Sequence, residues 1–457
     1  MRHPADLRTI LSGDLCSGCG LCASLAGDGK IDMEMAGPGY LRPAVRRALT
    51  AEEDRAIVDV CPGARIEGYG ARGNTAYHPV WGNVVEVRAG YSTDPEVRQV
   101  GSSGGVLSAL LLYLLERGEV DDVLQNAPDP DNPIGNITQK SRNRADVLHA
   151  AGSRYAPSAP LARILDEMGG DGARHGFVGK PCDVAGLRSL LGRNPALKDR
   201  VPYVLSFMCA GMPSENGSRE VLRRMDALDN EVESFRYRGN GWPGFATATL
   251  ADGTTRQMDY QSSWGGVLSK HLQFRCKICP DGTGEFADVT CADAWYPGED
   301  GYPSFQEQEG RSLIITRTER GEALVAAAAE AGYIVLEPLP VATSGAAKGA
   351  GARAPAGDAA HGTAPSGLSR SRSRRGGADA VAPTACPEFR RHDVPAAADG
   401  LSPFAEEVEY LMRRRASSFR SVPRQDVCGG GIFRGQVFFG RLSRPLVPCT
   451  CPRSDES

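Results

Sequence analysis

Cys16, Cys19 and Cys22 stand at two-residue intervals, and Cys61-Pro62 follows far downstream. Such gaps let successive thiolates turn toward one centre, and the small Ser17, Gly18 and Gly20 between them let the backbone wrap closely. Three cysteines at this spacing with a distant Cys-Pro match the ligation pattern of a 4Fe-4S cluster, whereas a structural zinc site ordinarily uses two separated pairs. In short bacterial ferredoxins the Cys-Pro member serves another cluster. No second triplet lies nearby here, so Cys61 is expected to complete the same centre. The chemistry on offer is one-electron transfer.

A second set is dispersed. Cys276 and Cys279, followed by Pro280-Asp281, form a pair that cannot close a four-ligand site alone. Cys182, Cys209 and Cys291 are the candidates to complete it. Cys182 and Cys209 fall just past the ends of expected strands, where sites of α/β folds gather. Cys291 lies in the alternating run 287–292, where a thiol can serve as a small core hydrophobe. Spacing alone leaves a second cluster, a zinc site and unligated core cysteines all open.

Other residues suit an anionic cofactor. Ser102, Ser103, Gly104 and Gly105 follow Gly101 and precede an apolar helix, which makes them either an anion cradle for a pyrophosphate or flavin edge, or a plain capping turn. Lys180 would neutralise a flavin or phosphate, or be merely solvated. Arg236, Tyr237 and Arg238 set two cations around an aromatic beside the turn 239–243, as either a cofactor mouth or a solvated edge strand. Ser153, Arg154 and Tyr155 carry the same two readings. The seven histidines show no ligand or nucleophile spacing.

These residues need a scaffold, and the chain is long enough for two or three domains at roughly 150 residues each. Its 457 residues carry 52 basic and 56 acidic side chains, a net charge of −4, so no basic excess points to nucleic acid. The longest apolar run, Val106–Leu115, is short of the roughly 20 residues that span a bilayer. Residues 1–15 have no apolar core, so no secretory signal is expected and the protein reads as cytoplasmic. Thirteen cysteines in that compartment do not suggest a disulfide scaffold.

Three zones are expected. Residues 1–73 hold the first cysteine set and a helix at Ala51–Val60, and residues 74–340 alternate between helical and extended patterns. Helices are expected at Gly105–Arg117, Pro160–Met168, Val184–Leu191, Glu215–Leu228 and Glu319–Glu330. Strands are expected at Glu119–Leu124, Gly176–Gly179, Val201–Met208, Ser312–Thr316 and Tyr333–Leu336, with a hairpin about Asp252-Gly253. That alternation argues for an α/β or α+β fold built on a mixed sheet. Residues 341–457 are rich in Ala, Gly, Arg, Ser and Pro and include the run Ser369–Arg375, so a low-complexity, disordered tail is expected, with a short helix at Ser402–Arg415. A lineage-specific tail and a reading-frame change both fit that composition. Cys386, Cys428, Cys449 and Cys451 within it are left out of the metal sets.

Seven motifs then follow one another in order: CSGCGLC from Cys16, GSSGGVLSALLLYLLERG from Gly101, GSRYAPS from Gly152, GFVGKPCDVAGLR from Gly176, FMCAG from Phe207, FRYRGNGWPG from Phe235 and FRCKICPDGTGEFADVTCADAW from Phe274. Over about Leu15–Pro340 this set resembles the family of coenzyme F-420 hydrogenase and dehydrogenase beta subunits. Its relatives include 7-hydroxymethyl chlorophyll a reductase and the ferredoxin-dependent 8-vinyl reductase of chlorophyllide. The resemblance implies a ferredoxin-like iron–sulfur region before a flavin-binding domain, with FAD and 4Fe-4S clusters. Carried over by motif, it implies Cys182, Cys209, Cys276 and Cys279 as ligands of a second cluster. It strengthens the reading of the Gly101–Gly105 loop as a flavin contact. Where the family's run has Gly, this sequence has Cys291, which argues for leaving that thiol out.

The implied function is an iron–sulfur flavoprotein oxidoreductase, with electrons running between the two clusters and, through FAD, a two-electron carrier. The expected carrier is coenzyme F-420, a deazaflavin, and the expected partner is ferredoxin or another redox subunit. No side chain stands out as an acid or base. Three other readings stay open: a ferredoxin-dependent reductase of a tetrapyrrole or other organic substrate, an electron-relay subunit without its own substrate, and a zinc-stabilised binding module.

Overall fold

The computed structural model describes residues 6–339, apart from 28, 67–75, 79–80, 171, 228–230 and 297–302. The expected tail with its short helix and four cysteines, and the junction expected near residue 73, lie outside the described residues.

The N-terminal region is built from short, well-capped pieces. Helix α1 (Leu7–Ser12) starts where the Asp6 carboxylate accepts the Thr9 N–H, and α2 (Leu21–Ala26) begins inside the cysteine motif. An antiparallel hairpin follows, β1 (Ile31–Ala36) with β2 (Tyr40–Val45). Helix α3 (Ala51–Val60) has a full capping box, in which Thr50 and Glu53 each receive the other's backbone N–H. Its apolar face buries Ile57 and Val60.

A short antiparallel pair, β3 (Ala76–His78) and β4 (Gly82–Val84), leads into β5 (Glu86–Ser92), α4 (Pro95–Val100) and α5 (Val106–Glu116). Next come β6 (Asp122–Pro128), β7 (Asn136–Ser141), α6 (Arg144–Ala150), α7 (Ile164–Met168), β8 (His175–Gly179), α8 (Pro181–Arg193) and β9 (Tyr203–Phe207). After α9 (Glu215–Arg224), strands β10 (Val232–Arg236), β11 (Ala246–Leu250) and β12 (Thr255–Met258) make a small antiparallel sheet. The chain returns through α10 (Phe274–Lys277) to β13 (Val289–Asp293), β14 (Ser312–Thr316), α11 (Glu319–Glu330) and β15 (Ile334–Pro338).

Eight strands form one mixed sheet in the order β15-β5-β14-β13-β9-β8-β6-β7. Its centre, β6-β8-β9-β13, is parallel, and antiparallel strands complete both sides. Alternate residues feed opposite layers. Val123, Val178 and Leu205 pack with α5 and α11, while Leu124, Phe177 and Val204 pack with α7 and α8. Helix α5 buries Leu110, Leu111, Leu112 and Leu114, and each such leucine stabilises the fold by roughly 1.5–3 kcal/mol. Among the described residues no helix is long and apolar enough to cross a membrane.

Some boundaries differ from expectation for local reasons. The strand expected at Glu119–Leu124 begins only at Asp122, because the N–H groups of Gly118 and Glu119 turn back to the Leu115 and Leu114 carbonyls and close α5. Residues 160–163 stay outside α7, since the Leu161 N–H donates to the Cys19 carbonyl instead of a helical partner. Helix α8 starts earlier than expected, with Pro181 in its first turn, which puts Cys182 on a helix rather than in a loop. Helix α9 stops at Arg224, short of the expected Leu228.

Candidate metal and cofactor site

Cys16, Cys19, Cys22 and Cys61 line one cavity, walled also by Leu7, Ile10, Met33, Ile57 and Val60. It holds about 350 Å³ of atom-free space, its open mouth included. The loop reaches this shape through left-handed glycines, Gly18 at φ +80 and Gly20 at φ +86. A side chain on Gly20 would also strike the Ala162 backbone nitrogen at 2.8 Å, so glycine is required there twice over. Burial pushes all four thiols above their ordinary range, and for Cys19, Cys22 and Cys61 the neighbouring sulfurs add to it. Cys61 rises only to about 11, because the Ala64 and Gly63 N–H groups and the Arg275 guanidinium favour its thiolate.

The second set gathers at the carboxyl edge of the parallel strands. Cys182 lies in the first turn of α8 after β8, and Cys209 just past β9, where its N–H donates to the Gly282 carbonyl at 2.9 Å. Burial, then Asp183, raises the Cys182 thiol, with Cys209 and Cys279 adding to it and Lys180 opposing it. Cys276 accepts the Met212 N–H at 3.3 Å. Cys182, Cys209, Cys276 and Cys279 are thus brought to one neighbourhood. Cys291 is not among them. It is 5% exposed in the layer between the sheet and helices α5 and α11, and burial pushes its thiol up to about 12. Among the described residues no group of three or more His, Cys, Asp or Glu could hold a single metal ion.

The residues expected to meet a flavin also converge, but many of their polar groups are bound within the protein. Ser102 Oγ accepts the Ser153 N–H. Ser103 Oγ lies within bonding distance of the Ala292 and Arg311 carbonyls, and the Gly104 N–H donates to Ser312 Oγ. A Cβ on Gly104 would meet the Gly90 carbonyl and Ser312 nitrogen at 2.6 Å, and one on Gly105 the Val97 carbonyl at 2.7 Å. Arg154 donates to Asn136 and to the carbonyls of Pro133, Gly135 and Phe235, and Tyr155 packs on Tyr237 and Trp264. Arg236 ends β10 and donates through Nη1 to the Val100 and Ala151 carbonyls. Tyr237 and Arg238 are each 2% exposed, so this stretch is no solvated edge strand.

Lys180 is buried too. Its ammonium donates to Ser158 Oγ at 2.9 Å and to Asp183 Oδ2 at 2.6 Å, and Asn126 Nδ2 reaches the same Ser158 hydroxyl at 3.1 Å. At the two ends of this chain, the buried oxygens Asn126 Oδ1 and Asp183 Oδ1 have no partner. These two buried acceptors beside the Lys180 ammonium suit a group that brings hydrogen-bond donors.

The partners of Arg238 had no distinguishing signal in the sequence. Arg238 pairs bidentately with Asp293 at 2.7 Å, and its guanidinium lies over the Tyr260 and Trp295 rings. Trp242 donates from its indole to Asp293 and stacks on Trp295 with centroids 4.7 Å apart. Asp293 closes β13 inside the motif around Cys291, and its partner is remote in sequence. An isolated Asp beside Trp295 carries no mark of that role.

A mixed sheet with thiols and buried unpaired acceptors near the carboxyl edge of its parallel strands has the layout of a cofactor-handling α/β protein. Family comparison is more specific. Residues 87–166 match the family model for the N-terminal part of the coenzyme F420 hydrogenase/dehydrogenase beta subunit, and residues 172–341 match the model for its C-terminal part. The chain belongs to this family. It is 25% identical over 331 residues to the coenzyme F420-dependent sulfite reductase of Methanocaldococcus jannaschii, covering 69% of this chain and 46% of that protein. It is 26% identical over 266 residues to the coenzyme F420 hydrogenase subunit beta of Methanococcus voltae, covering 56% of this chain and 84% of the relative. Among solved structures, a chain of the F420-reducing NiFe hydrogenase complex from Methanosarcina barkeri is similar at 21% identity and a TM-score of 0.46, over 57% of this chain and 85% of that one.

Proposed function

We propose that this chain is an F420-linked oxidoreductase subunit that carries two 4Fe-4S clusters and FAD and exchanges electrons between a redox partner and a deazaflavin coenzyme. The observation that carries the reading is the wall of four thiols around one cavity, with a second thiol set at the carboxyl edge of the parallel strands. Family membership supports the coenzyme, since the matched relatives are named for F420.

When bound, the clusters would supply single-electron steps and FAD would couple them to two-electron transfer. Residues 1–73 would carry the first cluster on Cys16, Cys19, Cys22 and Cys61. Residues 74–340 would hold the second on Cys182, Cys209, Cys276 and Cys279, together with FAD. Ser102, Ser153 and Arg236 would contact the flavin, and the close-packed Ser103, Gly104 and Gly105 would shape its floor. Lys180 would supply fixed positive charge beside the orphaned Asn126 and Asp183 oxygens. Arg154, Tyr155, Tyr237 and Arg238 would hold the walls in register. A redox subunit or ferredoxin would deliver or collect the single electrons.

The test is anaerobic purification of the full chain, assay of iron, sulfide and flavin, and reduction of coenzyme F420 by a viologen donor. Iron for two clusters, FAD and F420 turnover are expected. Clusters without flavin would favour a pure relay, and a colourless zinc protein would overturn the reading.

A further inference from the structure

One side chain touches both cysteine loops. Gln273 is 3% exposed, and its Nε2 lies 3.4 Å from Cys276 Sγ and 3.3 Å from the Ser17 carbonyl. Its Oε1 accepts from Arg42 Nη1 at 3.0 Å. That third contact sets the amide's orientation: with the oxygen facing a guanidinium, both N–H hydrogens face the sulfur and the carbonyl. Two residues on, Arg275 Nη2 donates to the Pro62 carbonyl at 2.8 Å, next to Cys61. The stretch 273–276 therefore grips both halves of the first cysteine set while carrying a thiol of the second.

We propose that the Gln273 amide is a hydrogen-bond bridge between the two iron–sulfur centres, positioning Cys276 against the first loop and raising the reduction potential of the second centre. The inference rests on the two-cluster reading above. Its physical basis is the charge on sulfur. A cluster's sulfurs gain negative charge on reduction, and an N–H donor aimed at one of them stabilises the reduced form more than the oxidised form. The Met212 N–H acts on the same sulfur, but only Gln273 also holds the Ser17 loop.

Gln273→Leu keeps the bulk and removes both donors. Gln273→Glu keeps the acceptor for Arg42 and turns an oxygen toward the sulfur. Full-length native and variant proteins are to be reconstituted anaerobically, assayed for iron, and titrated potentiometrically by EPR. In both variants the midpoint of one centre should fall while the other holds, changing the electron partition between centres about tenfold, ~59 mV for one electron. Full iron with unchanged midpoints, or equal shifts of both centres, overturns the bridge. If both variants lose iron, Arg42→Met, which releases the amide's orientation and also removes a charge acting on Cys16, must lower the midpoint of the second centre, and no shift there, or a shift confined to the first centre, overturns the bridge. Native protein without iron would instead refute the two-cluster reading itself.

Discussion

At the scale of single residues, position sorts the nine thiols among the described residues, all buried or half-buried, into two groups of four and one core residue. Cys19→Ser and Cys276→Ser should each remove about one cluster's worth of iron and sulfide, whereas Cys291→Ser should leave both contents intact, as read by iron and sulfide assay. Loss of a cluster from the Cys291 variant would break the assignment. Arg238 offers a sharper energetic test. Its guanidinium is buried against Asp293 with two aromatic faces around it, and removing one partner of a buried ion pair costs about 3–5 kcal/mol. Arg238→Gln should lower the denaturant midpoint accordingly. Arg238→Lys should rescue little of it, because an ammonium cannot reproduce the planar two-bond contact. Gly104 shows how a plausible test can mislead: an aspartate there would collide with the β5 and β14 backbones before meeting any ligand.

At the scale of elements, α11 is tied to the sheet by Glu322, which accepts from Arg88 Nη2 at 2.7 Å and from Thr316 Oγ1 at 2.8 Å. The Arg88 bond, the largest favourable influence, holds the Glu322 carboxyl below its usual value. The stabilisation is therefore present above the unfolded carboxyl's pKa of about 4.3 and lost as pH falls through the lower folded value. Glu322→Gln should cost about 1 kcal/mol at neutral pH, and its deficit against the native chain should vanish on acidification, as followed by urea melts across pH. Elements whose ends are written locally were legible in the sequence. Helix α3 and helix α11 have the expected bounds, and the structure shows a local cap at the start of each, Thr50 with Glu53 and Thr318 with the Gly321 N–H. The hairpin at Asp252-Gly253 was legible for the same reason, with Gly253 at φ +80. What the sequence hid depends on remote partners: the Cys19 carbonyl that keeps Leu161 out of α7, and the Asp293 that draws Arg238 inside. Both cysteine sets were visible through spacing and motif, whereas the internal bonding of Lys180 and Arg154 could not be read from neighbours in the chain.

At the scale of the whole molecule, the matched family regions end at residue 341, and the eight strands of the large sheet among the described residues lie before that point. A chain truncated after Pro340 should therefore keep the iron, sulfide and flavin of the full-length protein, as measured by metal analysis and absorption. Retention of only one cluster would assign ligands to the later segment. The N-terminal region is also locked in place. Tyr40 donates to the His271 carbonyl at 2.6 Å, the Leu165 N–H reaches Ser24 Oγ at 3.0 Å, and the Gly39 carbonyl accepts from the Glu215 N–H at 2.8 Å. The left-handed Gly20, pressed against the Ala162 backbone, gives this interlock a consequence in time. Once the Cys16–Cys22 loop is sealed against residues 159–162, with Cys16 and Cys19 buried, an assembly scaffold has little room to hand over a preformed cluster. On the two-cluster reading proposed above, that loop would have to be loaded while still undocked, so cofactor delivery would come early in biogenesis and closure over the loop late.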